Sequence, residues 1–164
     1  MTRFNNISIS LKEFKFYHIT KKYISWLNNP ILMKFSRHKN KVFNKIIAKK
    51  YLDSFNKSKN LFLIIKCNKK KRVIGTMTVY FFKRKKINIA SIGILIGDKI
   101  YANKGYGTAS LKKLIKFLSK KKIIKKIIVG TNKNNIPMIN IAKNNMFKLL
   151  RLNKKMIFFH KILF

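Results

Sequence analysis

Acidic residues are almost missing from this chain. Three of its 164 residues are acidic, Glu13, Asp53 and Asp98, against 40 Lys and Arg. No cluster of His, Cys, Asp and Glu has metal-ligand spacing, so no metal site is expected. A Ser-His-Asp nucleophile is equally unsupported. At most three of the forty cations can pair with a carboxylate, so self-repulsion should lower stability at low salt. The one cysteine, Cys67, excludes an internal disulfide; it sits in the run LFLIIKC and reads as an inert strand residue. The two prolines, Pro30 and Pro137, act as punctuation, and no linker rich in Pro, Gly or Ser interrupts the chain. No apolar run approaches the ~18 residues of a membrane span. The opening MTRFNNISIS has no apolar core and so reads as no signal peptide. Together these absences predict a cytoplasmic protein with no membrane partner.

What is present is a normal globular composition, 47% hydrophobic over 164 residues, enough for one domain spanning 1–164 with a real core. The formal net charge of +37 suggests nucleic acid. However, 35 of the 40 cations are Lys and only 5 are Arg, whereas base-edge and phosphate readout recruits Arg. Lys, Asn, Ile, Phe and Tyr make up 99 of the 164 residues. All five have A/T-rich codons, so base composition alone can produce this profile. The lysines are spread over every segment. Nucleic acid is therefore expected only as a nonspecific partner, held through charge.

Periodicity divides the chain into elements. Ile7–Leu11 alternates as a first strand. Thr20 caps a helix carrying Tyr23, Trp26 and Leu27, which stops at Asn28-Asn29-Pro30. Residues 31–37 form another helical turn. Asn44 caps a helix to about Phe55, with Ile47, Tyr51 and Phe55 on one face. Leu61–Cys67, Val73–Phe82 and Ile87–Ile96 read as an antiparallel meander joined by the basic turns Asn68–Arg72 and Lys83–Lys86. A helix follows with Leu111, Leu114, Ile115 and Leu118 on its apolar face and Lys112, Lys113, Lys116 and Lys120 opposite. Lys126–Thr131 is then a strand parallel to Ile92–Ile96. Asn134 or Asn135 caps another helix, with Pro137 in its first turn. Lys148–Leu152 and Met156–Leu163 close the sheet as a hairpin. The class is α+β: a mostly antiparallel sheet of about seven strands, with one parallel crossover.

Between the third strand of the meander and its helix lies Lys104-Gly105-Tyr106-Gly107-Thr108. A glycine-rich turn opening a helix after a strand is an anion cradle, because free N–H groups of the first turn point outward. A Walker A loop needs Gly-Lys-Ser/Thr at the helix start, where this chain has Gly-Tyr-Gly-Thr. A dinucleotide fingerprint needs a third glycine where Ser110 stands and an acidic residue about 20 positions later. No acid follows Asp98. What remains is a coenzyme A pyrophosphate loop, or a plain tight turn with no ligand.

Several segments decide between these. Tyr23–Pro30, YISWLNNP, resembles the YxxWLNDP segment of a bacterial subgroup of the GNAT N-acetyltransferases, the ribosomal-protein-acetyltransferase-like enzymes. Ser36-Arg37-His38 resembles the Arg-His pair that follows in them. Ile92–Lys99, IGILIGDK, resembles their LGIMIGDK strand, and Lys104–Thr108 their GKGYGTEA loop. Asn135-Ile136-Pro137-Met138-Ile139 resembles the start of their last helix. The resemblance covers essentially the whole chain and implies the GNAT fold with acetyl-CoA as cosubstrate.

It implies site residues as well. Acetyl-CoA would lie along the edge of Ile94, Leu95 and Ile96, its pantetheine amides pairing with backbone there. Its pyrophosphate would sit on the N–H groups of Asn103, Lys104, Gly105, Tyr106, Gly107 and Thr108, and Asn135 would reach the pantetheine arm. The acceptor side falls to Trp26, Arg37 and His38, with His38 as the general base. His18 and His160 read as structural, and Asp98 as a brace for the loop. Four positions depart from the family pattern. Ala102 replaces the first side chain of the loop motif. Ser91 stands where many relatives have Glu, Ala142 where many have Tyr, and Met146 where the usual residue is Gly. The implied reaction moves an acetyl group from acetyl-CoA to a primary amine, such as an amino-sugar nucleotide. A protein N-terminus, as in the ribosomal enzymes, is the alternative acceptor. A non-catalytic CoA- or nucleic-acid-binding protein is the rival of another class.

Overall fold

The computed structural model describes residues 7–163; residues 1–6, part of the stretch read as no signal peptide, and Phe164 lie outside the described residues. The chain runs β1 (Ile9–Glu13), a 3-10 turn (Phe16–His18), α1 (Lys21–Leu27), α2 (Pro30–Met33), α3 (Lys45–Asn56), β2 (Leu61–Cys67), β3 (Arg72–Arg84) and β4 (Ile87–Ile96). A second 3-10 turn (Lys99–Tyr101) leads to α4 (Tyr106–Lys120), β5 (Lys126–Asn132), α5 (Ile136–Asn144), β6 (Lys148–Leu152) and β7 (Met156–Ile162). The seven strands form one sheet in the order β1-β2-β3-β4-β5-β7-β6. Only β4 and β5 pair in parallel, as a strand-helix-strand crossover requires. No helix among the described residues is long and apolar enough to cross a membrane.

Asparagine supplies most of the helix starts. Asn29, Asn44 and Asn135 accept first-turn N–H groups of α2, α3 and α5, and Thr20 does so for α1. The sheet is covered on both faces. Leu111, Leu114 and Leu118 of α4 are fully buried with Ile65, Met77, Val79, Ile127 and Val129. On the opposite face Phe14, Tyr23, Trp26, Leu52 and Phe55 pack on Phe62 and Ile64. Burial of β2 from both sides explains its continuous apolar run.

Three expectations change. The first strand is Ile9–Glu13, two residues later than Ile7–Leu11, because Ile9 pairs with Cys67 and Glu13 with Leu63. The buried stripe of α3 is Ala48, Leu52 and Phe55, with Ile47 and Tyr51 half-buried beside it. A small Ala in the stripe conceals that face from a search for large apolar residues. The parallel pairing of β4 falls on Ile89, Ala90 and Ser91, opposite Lys126, Ile127 and Ile128, and not on Ile92–Ile96. Beyond Ser91 the two strands part, because each keeps its other neighbour. β4 continues with β3 to Ile96, and β5 continues with β7 to Asn132.

A carboxylate fixes the end of β4. Asp98 is 6% exposed and accepts from Lys22 Nζ of α1 at 2.8 Å and lies 3.0 Å from Arg72 Nη2 of β3. Its other oxygen accepts the Ile100 N–H at 3.3 Å. Burial alone would raise its pKa. The Lys22 hydrogen bond, the Ile100 N–H and the charges of Lys22 and Arg72 prevail and hold it below the ordinary value. The brace read from sequence is present, and it also ties in α1 and β3.

Two consequences can be measured. Asp98→Asn should cost about 1–2 kcal/mol at neutral pH, since both cationic partners are partly solvated. A carboxyl with a depressed folded pKa stabilises above its unfolded value and loses that contribution as pH falls through the folded one. Denaturant titrations of wild type and Asp98→Asn should therefore differ at pH 7 and converge as pH drops below the ordinary 3.8. The second consequence concerns the end of α5. The Phe147 N–H reaches Ala142 C=O, and the Met146 N–H reaches Lys143 C=O, which is a Schellman closure. Met146 holds φ 58° there with its side chain 76% exposed. A left-handed non-glycine residue costs roughly 1–2 kcal/mol, of which glycine's extra unfolded freedom offsets about 0.5–1. Met146→Gly should therefore raise Tm by about 2–4 °C in a thermal melt.

Candidate functional site

Where β4 leaves β5, a cleft of about 1220 Å³ passes between them. Backbone groups of Ile92–Ile96 on the side facing β5 have no ladder partner, since β5 pairs with β4 only to Ser91. The cleft has two ends, one on each face of the sheet. The end toward α4 and α5 is lined by the phosphate-type loop, Asn135, Met138, Ile141 and Asn144. The end toward α1–α3 is lined by Arg37, His38, Tyr51, Thr76, Thr78, Tyr80 and Ser91.

The loop has the features of an anion cradle. Gly105, at φ 84°, is the N-cap of the 15-residue α4, and Asn103 also adopts a left-handed φ, 55°. These turns carry the chain along the cleft, which Asn103, Gly105, Gly107 and Thr108 line. The first backbone donor of α4 to find a carbonyl is Ala109, bonded to Gly105 at 2.9 Å. The N–H groups of Asn103 to Thr108 have no acceptor among the described residues. The helix dipole adds positive potential at the same place. Gly107 acts through packing instead. A Cβ there would lie 2.6 Å from Ile141 Cδ1, so its lack of a side chain lets α5 close on α4. Asn145 Nδ2 reinforces that contact, donating to Ile141 C=O at 2.8 Å and Thr108 C=O at 3.2 Å.

The residues singled out from sequence are not all brought together. Ile94, Leu95, Ile96, Asn103, Gly105, Gly107, Thr108, Asn135, Arg37 and His38 line the one cleft. Lys104 points to solvent, and the Tyr106 ring packs edge-on against Tyr101 at 4.8 Å, away from it. Trp26 is not among the lining residues; it is buried over the Gly97 backbone, where a Cβ would collide with its ring. Asn135 caps α5 and donates from Nδ2 to Thr131 Oγ1 at 2.8 Å, leaving one amide hydrogen uncommitted. Ser91 stands at the fork itself, opposite Tyr80 on β3. Ala142 is wholly buried, and α5 instead turns Met138, Ile141 and Asn144 to the cleft.

His18 accepts the Lys15 N–H at 2.8 Å through Nδ1 and packs against Phe14, outside the cleft. His160, on β7, buries its Nδ1 with no partner, also outside the cleft. His38 is half-buried, with Phe43 and Tyr51 edge-on to its ring. Burial first, then the charges of Arg37 and Lys41, lowers its pKa below the ordinary 6.5. It is therefore neutral and able to accept a proton at pH 7.

The hydroxyl floor was not singled out from sequence. Thr76 pairs with Leu95, Thr78 with Gly93 and Tyr80 with Ser91, so these side chains share one face. Tyr80 OH lies 3.2 Å from Tyr51 OH of α3. Burial and that hydrogen bond push the Tyr51 pKa well up, so it stays protonated as a donor. The alternation Thr76-Met77-Thr78-Val79-Tyr80 carries the signal: Met77 and Val79 go to the α4 core, and the polar set is left for the other face.

Comparison with known proteins agrees with this architecture. Residues 9–148 match the family described as Acetyltransferase (GNAT) domain. No curated protein matches the sequence. RimL, a ribosomal L7/L12 alpha-N-protein acetyltransferase solved with coenzyme A, superposes with a TM-score of 0.83 at 14% identity, over 95% of this chain and 94% of that one. An aminoglycoside acetyltransferase, AAC(6')-Ib, solved with coenzyme A, gives 0.78 at 15% identity, over 94% and 95%. A microcin C7 self-immunity acetyltransferase, MccE, solved with acetyl-CoA and AMP, gives 0.78 at 18%, over 97% and 94%. These likenesses are of fold; together with the family match over most of its length, they establish that the chain belongs to the GNAT acetyltransferase family.

Proposed function

We propose that residues 1–164 form one cytoplasmic acetyltransferase domain that moves an acetyl group from acetyl-CoA to the primary amine of a small acceptor, an amino sugar carried on a nucleotide. The observation that carries this is the passage through the sheet. An open N–H cradle lies on one face and a hydroxyl-lined chamber on the other, and the unpaired edge of β4 joins them. A donor and an acceptor entering from opposite faces meet at the fork.

Acetyl-CoA supplies the activated thioester carbonyl when bound. The chain's own residues hold and orient. The N–H groups of Asn103 to Thr108 and the start of α4 receive the pyrophosphate, and the free edge of Ile94–Ile96 offers the pantetheine amides a strand to pair with. Asn135 contributes its remaining amide hydrogen to that arm. An amine near its ordinary pKa of about 10 is protonated at pH 7 and cannot attack until it loses that proton. His38 is the neutral base at the acceptor end, and Arg37 stands beside it. The Tyr51–Tyr80 hydroxyl pair, with one O–H spent between the two, offers one donor and its lone pairs to orient the acceptor. Ser91 at the fork lacks the basicity of a carboxylate, so proton removal rests on His38.

Asn103→Asp tests the cradle without changing shape, since Asp tolerates the left-handed region nearly as well as Asn. A carboxylate facing the pyrophosphate should weaken acetyl-CoA binding at least about tenfold by calorimetry, with Tm unchanged. Equal affinities would remove the loop from the site.

His38→Ala should lower kcat/KM by roughly 10² to 10⁴-fold and leave acetyl-CoA affinity intact. Because the folded pKa is depressed, the acid limb of the wild-type pH–rate profile should fall below pH 6.5. That limb should vanish in the variant. Its persistence would take His38 out of the mechanism.

A further inference from the structure

All three acidic side chains of the chain are committed away from the cleft. Glu13 pairs with Lys15 at 2.7 Å, and Asp53 with Lys49 at 2.9 Å on α3. Asp98 is held between Lys22 and Arg72. No Asp or Glu lines the cleft. An ammonium entering the acceptor end therefore meets only neutral side-chain oxygens, among them those of Ser36, Tyr51, Thr76, Thr78, Tyr80 and Ser91.

The loop beside that end is cationic. The stretch from the end of α2 to the start of α3 carries Lys34, Arg37, Lys39 and Lys41 with no acid among them. Arg37 reaches the lining, where its guanidinium lies 5.5 Å from the centre of the Tyr80 ring. At that distance the ring face attracts the cation, and the guanidinium keeps its planar fork of donors. No carboxylate among the described residues pairs with it. A planar fork with no such partner, above a floor of hydroxyls, suits a phosphate or carboxylate oxygen pair.

We infer that the acceptor bears an anionic oxyacid group close to its amine, received by Arg37, and that polycationic amines are rejected. The inference rests on the acetyltransferase reading above and assigns the charge class of its second substrate. The physics is asymmetric. A single amine must become neutral to react, so a site without a counterion favours the reactive form. A polyamine brings further ammoniums that stay charged, and each would be desolvated beside cations with no carboxylate to meet it. The anion of the acceptor also gains from the positive field of the whole chain.

A matched series reads this out: glucosamine, glucosamine 6-phosphate, muramic acid and kanamycin. Each is titrated into the enzyme saturated with CoA, so that the pyrophosphate cradle is filled, at about 0.15 M salt to suppress weak surface binding. Acetyl transfer from acetyl-CoA is followed in parallel. Glucosamine 6-phosphate should bind roughly tenfold or more tightly than glucosamine, and kanamycin should be the weakest. A preference for phosphate over the carboxylate of muramic acid, or the reverse, identifies which oxyacid the fork takes. Arg37→Gln should erase the advantage of the anionic sugars, and Arg37→Lys should restore only part of it. Lys154→Gln, the same charge loss on the exposed β6–β7 turn, should leave the order intact. Equal binding of glucosamine and both anionic sugars, a kanamycin preference, or an order insensitive to Arg37→Gln would overturn the inference. No acetyl transfer to any amine, with the charge order preserved, would instead overturn the enzymatic reading and leave the charge selection standing.

Discussion

The whole site depends on where two parallel strands stop pairing. β4 and β5 share three ladder positions, Ile89–Ser91 with Lys126–Ile128, and then diverge. Each is held by a longer antiparallel partner, β4 by β3 over ten positions and β5 by β7 over seven. Those ladders carry many more hydrogen bonds than the short parallel one, and they set the strand directions. The opening is therefore built into the sheet and needs no ligand to wedge it. Unpaired backbone is costly when buried, and here it faces a cleft, where a ligand or water can satisfy it.

The scarcity of acid shapes both ends of this arrangement. With three acidic side chains in the chain, the one that is buried, Asp98, serves three elements at once. It anchors the turn that leads from β4 into the cradle, so the loop's position is coupled to α1 and to the start of β3. The same scarcity leaves the cleft without a negative side chain. What lines its acceptor end instead is a histidine whose pKa is depressed by burial and by neighbouring cations, set among hydroxyls. Charge composition has local consequences once the fold distributes it.

Much of the site was legible because its parts are local. An anion cradle is a short turn followed by a helix N-terminus, and its geometry is encoded in neighbouring residues such as Asn103 and Gly105. Helix caps are equally local, which is why Thr20, Asn44 and Asn135 could be placed from sequence. Trp26 was harder. The segment that carries it resembles an acceptor-side motif, yet the ring turns inward onto Gly97, and motif identity does not specify the direction of a side chain. Ala142 is similar: whether an α5 position faces the cleft or the core is set by how the helix rolls against α4, through the Gly107–Ile141 contact.

Sequence alone determined the α+β class, the strand and helix spans to within a few residues, the glycine-rich turn that opens α4 and the excess of positive charge, because each follows from short-range pattern or from counting. The tertiary structure alone decided which half of β4 pairs with β5, which residues meet across the opening, and that Thr76, Thr78, Tyr80 and Ser91 form one floor beside Arg37 and His38. Those facts depend on register between strands distant in the chain. Register is settled by burying both sheet faces at once, a balance that no local window of residues contains.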